Sequence, residues 1–332
     1  MPKNVTGGGG KYQTLVVRWE PLLDKDRNGD NFHYMIHFRS KGDAEFTKVP
    51  VSIPQLLLLD EGKYVQYTIT LNQEAFYKPY EVAVQAINKE GSGPLSEVSL
   101  VMSAARVPLN APRDIIAGAE NSTAITVWWN KPEVSSGVGP ILGYRIIYYP
   151  RNNTDCRSVD SLKTRYTRGE RQTVHGDITT GKIIGLDADV YYCILVQMYN
   201  SAGDGPDSST TEQTTFKKAP SGMPTFVTLN ATDFPMTLKV SWAGVQSLYE
   251  EESIQGYTIR YWVAGADFKE TLIDVNVGLR TYGFITNLTM DTRYELRVFA
   301  YSRGGIGTYS SPVNSFQFID SSLCVPGASY GG

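Results

Sequence analysis

The sequence predicts an all-β protein made of three β-sandwiches in tandem. Its 332 residues are about enough for three domains of ordinary size, each able to bury its own core. Short segments alternate apolar and polar residues with a period of two, which is typical of antiparallel strands with one buried face. A set of proline, tryptophan, tyrosine and glycine landmarks recurs three times along the chain.

The first landmarks are a proline and a tryptophan that open each repeat. They are separated by 17 or 18 residues, at Pro2 and Trp19, Pro112 and Trp129, and Pro224 and Trp242. Apolar residues alternate on the approach to each tryptophan, as in Leu15, Val17 and Trp19. We therefore expect a half-exposed strand whose buried face ends in an indole that fills the space between two sheets.

A second alternating strand follows a polar, glycine-bearing loop and starts with a tyrosine, at Tyr34, Tyr144 and Tyr257. A later tyrosine leads a further alternating strand, at Tyr80, Tyr192 and Tyr294. Paired glycines come after it, at Gly91 and Gly93, Gly203 and Gly205, and Gly305 and Gly307. Glycines at this spacing permit the positive φ angles that a tight hairpin requires.

The later tyrosine predicts a corner, in which the ring packs inside while the hydroxyl bonds to the backbone of a loop between sheets. Leu186 and Leu288, six residues before Tyr192 and Tyr294, support this interpretation. The first repeat has Glu74 at the same distance before its tyrosine, so we expect its corner to be built differently.

This order of landmarks resembles the fibronectin type III domain, a seven-stranded immunoglobulin-like β-sandwich. The pattern is interrupted near Arg106–Val107 and Lys218–Ala219, where proline-bearing segments occur. We therefore expect type III repeats at residues 1–106, 107–218 and 219–319, followed by a tail at 320–332. Because both linkers are short, the domains should be articulated rather than freely tethered.

Five local phrases narrow the resemblance. They are Gly-Gly-Gly-Gly at 7–10, Tyr-Asn-Ser-Ala-Gly-Asp-Gly-Pro at 199–206, Asn-Ala-Thr-Asp at 230–233, Glu-Ser-Ile-Gln-Gly-Tyr at 252–257 and Gly-Gly-Ile-Gly-Thr at 304–308. In this order they resemble the second, third and fourth type III repeats of the contactins, over roughly residues 2–319. Many loops depart from the vertebrate pattern, which favours an invertebrate contactin.

The resemblance implies a non-catalytic adhesion and spacer role at the cell surface. Contactins carry six immunoglobulin-like domains ahead of four type III repeats and attach to the outer leaflet by a glycolipid (GPI) anchor. The implied function is neural or septate-junction contact, with neuroglian-type adhesion molecules and neurexin-like proteins as partners. It also implies a sharp bend between the first two repeats of this chain, near residues 107–112.

Two other classes of protein stay open. Type III arrays also form the ectodomains of single-pass signalling receptors, although the Trp-Ser-x-Trp-Ser signature of cytokine receptors is replaced by Tyr309-Ser310-Ser311-Pro312. They also occur as accessory modules of secreted carbohydrate-active enzymes. The small residues at 327–329 suit a lipid-attachment site without the required hydrophobic tail, and a small-residue terminus without that role fits them equally.

Composition limits the classes of partner that the chain can bind and the cell compartments that it fits. A net charge of −3, scattered along the chain, lacks the clustered positive surface that nucleic acid binding needs. No apolar stretch is long enough to span a bilayer, so we expect membrane contact only through a lipid anchor in the parent protein. The start lacks the apolar core of a signal peptide, so we expect Met1 to begin an excised fragment.

No motif nominates catalysis or a cofactor. The sequence contains no phosphate-binding glycine loop and no His-Glu-x-x-His helix. Asp24, Asp26 and Asn28 resemble half of a calcium loop, but Met35 stands where the bidentate carboxylate would be required. His33 and His37 alternate on one strand without a third ligand, so we interpret them as surface residues and expect no metal site.

Five sequons predict N-glycosylation and therefore an extracellular chain: Asn4, Asn121, Asn152, Asn230 and Asn287. Asn121 and Asn230 would lie between the first two strands of their repeats, Asn152 after a second-repeat strand, and Asn287 beside the third corner. Asn4 lies on the first strand, where strand pairing at its level would compete with exposure of its side chain.

Two of the three cysteines are candidates for a disulfide. In the type III topology the strand before Cys156 ends at the pole where the strand of Cys193 begins, so the two could either bridge or stay apart. A bridge would make Cys324 the odd thiol. The acidic run Glu250, Glu251 and Glu252 precedes a third-repeat strand, and we interpret it as a solvated loop face.

Overall fold

The computed structural model describes residues 1–71, 75–151, 156, 170–320 and 322–325. Within these residues the chain forms three β-sandwiches, each made of two antiparallel sheets. The fold class predicted from the sequence is therefore confirmed. None of the described helices has the length and apolar character needed to cross a bilayer.

The first sandwich pairs β1-β2-β6-β5 in one sheet and β4-β3-β7 in the other, with β8 and β9 both added to β7. The strands are β1 (Lys3–Gly7), β2 (Thr14–Glu20), β3 (His33–Ser40), β4 (Thr47–Ser52), β5 (Leu57–Leu59), β6 (Tyr64–Thr70), β7 (Pro79–Asn88), β8 (Gly91–Leu95) and β9 (Ser99–Met102). Short 3-10 turns occur at Asp24–Asp26, Ile53–Gln55 and Asp60–Gly62.

The second sandwich pairs β10-β11-β14 against β13-β12-β15, with β16 and β17 both added to β15. The strands are β10 (Arg113–Asn121), β11 (Ala124–Asn130), β12 (Ile141–Pro150), β13 (Glu170–His175), β14 (Thr180–Ile184), β15 (Tyr191–Asn200), β16 (Gly203–Asp204) and β17 (Thr211–Thr214). Counting the split last strand once gives the seven strands that the sequence predicts.

The third sandwich pairs β18-β19-β22 against β21-β20-β23-β25-β26, with β24 also added to β23. The strands are β18 (Thr225–Ala231), β19 (Leu238–Ala243), β20 (Ile254–Val263), β21 (Ile273–Gly278), β22 (Tyr282–Ile285), β23 (Arg293–Ser302), β24 (Gly305–Tyr309), β25 (Asn314–Ile319) and β26 (Ser322–Cys324). One helical turn, Phe268–Thr271, is capped by the side chain of Asp267. The β26 strand extends the sheet past Ile319 into the segment assigned to the tail.

A tryptophan and a tyrosine meet at the centre of each core. Trp19, Trp129 and Trp242 are 0%, 3% and 6% exposed. Their rings lie 5.2, 5.1 and 5.7 Å from those of Tyr34, Tyr144 and Tyr257, centroid to centroid. The tryptophan belongs to one sheet and the tyrosine to the other, so each pair joins the two sheets of its sandwich.

Two of the predicted tyrosine corners are present. The Tyr192 hydroxyl accepts a hydrogen bond from the backbone N–H of Asp187 at 3.0 Å, and that of Tyr294 accepts one from Thr289 at 3.1 Å. In the first domain Tyr80 packs against Phe38 at 6.3 Å. Glu74, the residue that suggested a different corner there, lies outside the described residues.

A buried serine recurs at the same position of each domain, although no sequence landmark indicated it. The hydroxyl oxygens of Ser96, Ser208 and Ser310 each accept the backbone N–H of a core valine, at 2.9 Å in every domain. The serine lies where the last strand is interrupted, so its hydroxyl replaces a missing strand partner.

Replacing Tyr294 by Phe keeps the ring and removes the hydroxyl that holds the Thr289 N–H. We expect this to lower the opening free energy of the third domain by about 1 kcal/mol, or about fivefold faster amide exchange in β23. Hydrogen exchange of the whole chain, followed by mass spectrometry, measures it domain by domain. The control is Tyr249→Phe, at a side chain that is 91% exposed; equal exchange in the two variants would contradict the role of the corner.

Candidate functional sites: sequons, disulfide and interdomain joints

Three of the four described sequon asparagines are exposed. Asn4 on β1, Asn230 on β18 and Asn287 after β22 face solvent, whereas Asn121 at the end of β10 is half-buried. The Asn4 amide nitrogen donates a hydrogen bond to Glu20 Oε1 at 2.6 Å on the surface. Asn152 lies outside the described residues.

The oxygen of Asn121 accepts hydrogen bonds from the N–H and hydroxyl of Thr123 at 2.8 and 3.1 Å. Both hydrogen bonds are made by the side-chain carbonyl oxygen. They do not involve the amide nitrogen, which is the atom that a glycan modifies. A glycan on Asn121 would project beside the third domain, because Ser122 N–H donates to Gly304 O at 3.0 Å across the domain boundary.

The structure joins Cys156 and Cys193 as a disulfide with a Cα–Cα distance of 5.7 Å, within the range that such bridges require. Both cysteines are buried and form a small apolar cluster with Tyr149. Tyr149 on β12 is the cross-strand partner of Cys193 on β15. The cluster therefore covers the outward face of this sheet, away from the tryptophan core.

The side chains of the half calcium loop and of His33 and His37 make other contacts. Asp24 pairs with Arg27 at 2.7 Å inside a 3-10 turn. His33 Nδ1 lies 3.0 Å from Asn31 O, and His37 Nε2 lies 3.2 Å from Gln85 Oε1. His37 is 9% exposed and so is largely covered, unlike the surface residue that the sequence suggested. Within the described ranges no three His, Cys, Asp or Glu side chains come together as metal ligands.

The linker between the second and third domains pairs with the acidic run. Lys218 N–H donates to Glu250 O at 3.1 Å, and Glu252 N–H donates back to Lys218 O at 3.0 Å. This is a short parallel bridge between Lys218 and Glu251. The Lys218 ammonium also lies 3.0 Å from the Glu250 carboxylate, although both side chains are well exposed and this pair contributes little.

Glu251 is the buried residue of the run, at 7% exposed. Its two carboxylate oxygens accept the backbone N–H of Ser221 at 2.8 Å and that of Leu248 at 3.0 Å. Burial alone would raise the pKa of this carboxyl, but the backbone donors outweigh burial and the pKa is lowered from its ordinary value. The solvated-face interpretation suits the exposed side chain of Glu250 and is wrong for Glu251, because the linker covers it.

The opposite side of the linker is held by the turn between β23 and β24. A methyl group at Gly304 would collide with the carbonyl oxygens of Lys217 and Lys218, so only glycine permits this approach. The Arg303 guanidinium lies over the Phe216 ring at 4.2 Å. Thr308 N–H donates to Pro220 O at 3.2 Å. The linker is thus clamped between two loops of the third domain.

The joint between the first and second domains is built from other contacts. Arg106 N–H donates to Gly137 O at 2.8 Å, and Asn200 Nδ2 donates to Arg106 O at 2.7 Å. The Arg106 guanidinium lies 4.3 Å from the Phe76 ring. A cleft of about 520 Å³ adjoins these contacts, with Tyr12 and Leu109 in its walls. The bend expected near residues 107–112 would fall at this cleft and stays a prediction.

The fibronectin type III domain family model matches residues 110–214 and 223–316. The chain is 35% identical to Drosophila melanogaster contactin over 321 residues, 95% of this chain and 22% of that protein. It is 32% identical to human contactin-3 over 94% of this chain and 28% of that protein. The chain thus spans about a quarter of the length of these relatives. The crystal structure of chicken CNTN1 FN1-FN3 domains aligns over 98% of this chain and 97% of that one, with 21% identity and a TM-score of 0.43.

A first prediction concerns the contribution of the disulfide to the stability of the second domain. Replacing both Cys156 and Cys193 by Ser should cost the second domain about 3–4 kcal/mol in the chain-entropy model, since the bridge closes a loop with a sequence separation of 37. Amide exchange in β12 and β15 measures the loss, and the matched control is Cys324→Ser, at the free cysteine of the described chain. A non-reducing peptide map without the Cys156–Cys193 cross-link would count against the bridge.

A second prediction concerns the carboxylate of Glu251. In Glu251→Gln one carboxylate oxygen becomes an NH₂ group that faces a backbone N–H, so one of the two hydrogen bonds is lost. We expect local opening of the joint to become easier by about 1–3 kcal/mol, seen as faster amide exchange in residues 217–222 and 247–252. Glu250→Gln is the control, because that side chain is 73% exposed.

The same joint should weaken in acid. The folded-state pKa of Glu251 lies below its ordinary value of 4.5, so its contribution is complete above that pH and is lost as the pH falls through the lowered folded-state pKa. Exchange of these two segments should accelerate in that window in the native chain more than in Glu251→Gln. Parallel pH profiles in the two proteins would contradict the assignment.

Proposed function

The chain belongs to the fibronectin type III family and is a contactin-family segment, and from this membership we propose that it acts as an adhesion and spacer module outside the cell. The likeness to contactins over 94–95% of the chain is the observation that carries the proposal. Contactins are cell-adhesion proteins of the cell surface rather than enzymes, so the role we propose is binding and positioning. The repeats would hold more distal domains away from the membrane.

The structure supports a spacer with two unlike joints. The clamped linker around Lys218 and Glu251 favours a fixed relation between the second and third domains. The joint around Arg106 adjoins a cleft and is held by hydrogen bonds of its backbone and by a ring contact. A module with short, bonded joints transmits distance along the array.

The finer parts of the proposal concern place and partners. We propose that the parent protein is attached to the outer leaflet by a GPI anchor and contributes to neural or septate-junction contacts. Neuroglian-type adhesion molecules and neurexin-like proteins are the proposed partners. Exposed sequon asparagines and a buried disulfide support an extracellular setting. We also propose domain boundaries near Arg106–Val107 and Lys218–Ala219, where the joints begin.

A cell-binding assay tests the proposed partners. The chain, produced in a glycosylating host, should be retained on cells that display a neuroglian-type or a neurexin-like protein, and should wash off matched cells that display neither. An enzymatically deglycosylated sample beside it separates protein contacts from glycan contacts. Equal retention on all three kinds of cell would overturn these partners and leave the spacer role alone.

A further inference from the structure

Two aromatic rings lie open to solvent on the outer face of the three-stranded sheet of the third domain. Tyr282 and Phe284 on β22 are 40% and 44% exposed, and their rings form an edge-to-face pair with centroids 6.1 Å apart. The intervening Gly283 and the following Ile285 face the core. An exposed aromatic pair on a sheet face leaves apolar surface in water that a ligand could cover.

A sequon lies in the same row of this sheet. Asn230 on β18 is the cross-strand partner of Lys239 on β19, and Lys239 is the partner of Phe284 on β22. Cross-strand partners project to one face, so Asn230 and Phe284 point the same way across two inter-strand spacings, about 10 Å. The two sugars that begin an N-linked glycan are long enough to cover this distance.

The neighbouring row of side chains would not obstruct the glycan. It consists of Thr228, Ser241 and Tyr282, so only small hydroxyl side chains lie between β18 and the Tyr282 ring. Lys239 Nζ and Arg280 Cζ lie 5.4 and 5.8 Å from the centre of the Tyr282 ring. The site therefore combines two exposed aromatic rings with two cationic side chains that lie over the Tyr282 ring.

This combination matches the chemistry of a sugar ring. A pyranose has a C–H face that stacks on an aromatic ring and hydroxyl groups at its edge that accept hydrogen bonds from ammonium and guanidinium groups. The Asn230 side chain is exposed and lies on the edge strand β18, where a sugar can be attached without displacing a neighbour.

We propose that the glycan on Asn230 folds back across the β18-β19-β22 sheet, and that its first sugars stack on Tyr282 and Phe284. The inference rests on the proposed function, because it requires an extracellular, glycosylated chain. Its consequence is that this face of the third domain is closed to protein partners. Protein contacts of this domain would then use the opposite sheet or the loops.

Hydroxyl-radical footprinting of the whole chain from a glycosylating host tests the proposal. Relative to the native glycoprotein, Asn230→Gln should oxidise at least about twofold faster at Tyr282 and Phe284, since two partly exposed rings would lose their cover. Trp128 is the internal control: it is 45% exposed on the corresponding face of the second domain, and its row partners are Ile116 and Thr180.

Asn287→Gln is the matched variant, because it removes a neighbouring sequon beyond the end of β22 and should leave both rings protected. Protection that disappears with Asn287 instead of Asn230 would overturn the assignment. Intact-mass measurement distinguishes failure of the stacking proposal from failure of the proposed function. If Asn230 carries a glycan and oxidation of the two rings is unchanged in Asn230→Gln, only the stacking proposal is refuted. If Asn230 is unmodified the stacking proposal falls, and if all sequons are unmodified the proposal of a glycosylated extracellular chain falls as well.

Discussion

The contact between a tryptophan of one sheet and a tyrosine of the other is the constraint on which each sandwich depends. In the first domain Trp19 and Tyr34 are 0% and 1% exposed and meet near the centre of the core. A buried aromatic of this size contributes about 3–5 kcal/mol against its removal. Because it joins the two sheets at one point, it fixes how they pack on each other. The Tyr34 hydroxyl extends this role by accepting the N–H of Leu22 at 2.8 Å.

Three copies of one core nevertheless produce two unlike joints, because the joints are made by loops and the cores by strands. Both linkers leave the last strand of one sandwich and enter the first strand of the next. At the second joint a carboxylate lies between two backbone donors, and a glycine allows the opposite turn to approach. At the first joint an arginine stacks on a ring beside a cleft. Loop residues therefore set the mechanical character of the array while the cores stay constant.

The sequence predicted what depends on short-range periodicity. The strands that lead to Trp19, Trp129 and Trp242, and the corners at Tyr192 and Tyr294, follow from alternation and spacing within one repeat. The serine at Ser96, Ser208 and Ser310 was in the same register and could have been found, 16 residues after each corner-position tyrosine. Glu251 could not, because its carboxylate is covered by the linker and accepts the N–H of Ser221, which is 30 residues away in sequence. The row from Asn230 to Phe284 likewise needs a strand register that composition does not give.

The way polar groups are used in this chain fits positioning better than chemistry. A strongly perturbed ionisable group often marks a reactive site. Here the perturbation of Glu251 comes from backbone donors that fix a linker, and that of Arg260 from an ion pair with Asp274 on the adjacent strand. The hydroxyl of Tyr309 completes the same cluster by contacting the Arg260 guanidinium. In each case the charge is matched by a partner that stiffens a joint or a sheet face. Stiffness at defined points is the property that an adhesion spacer requires.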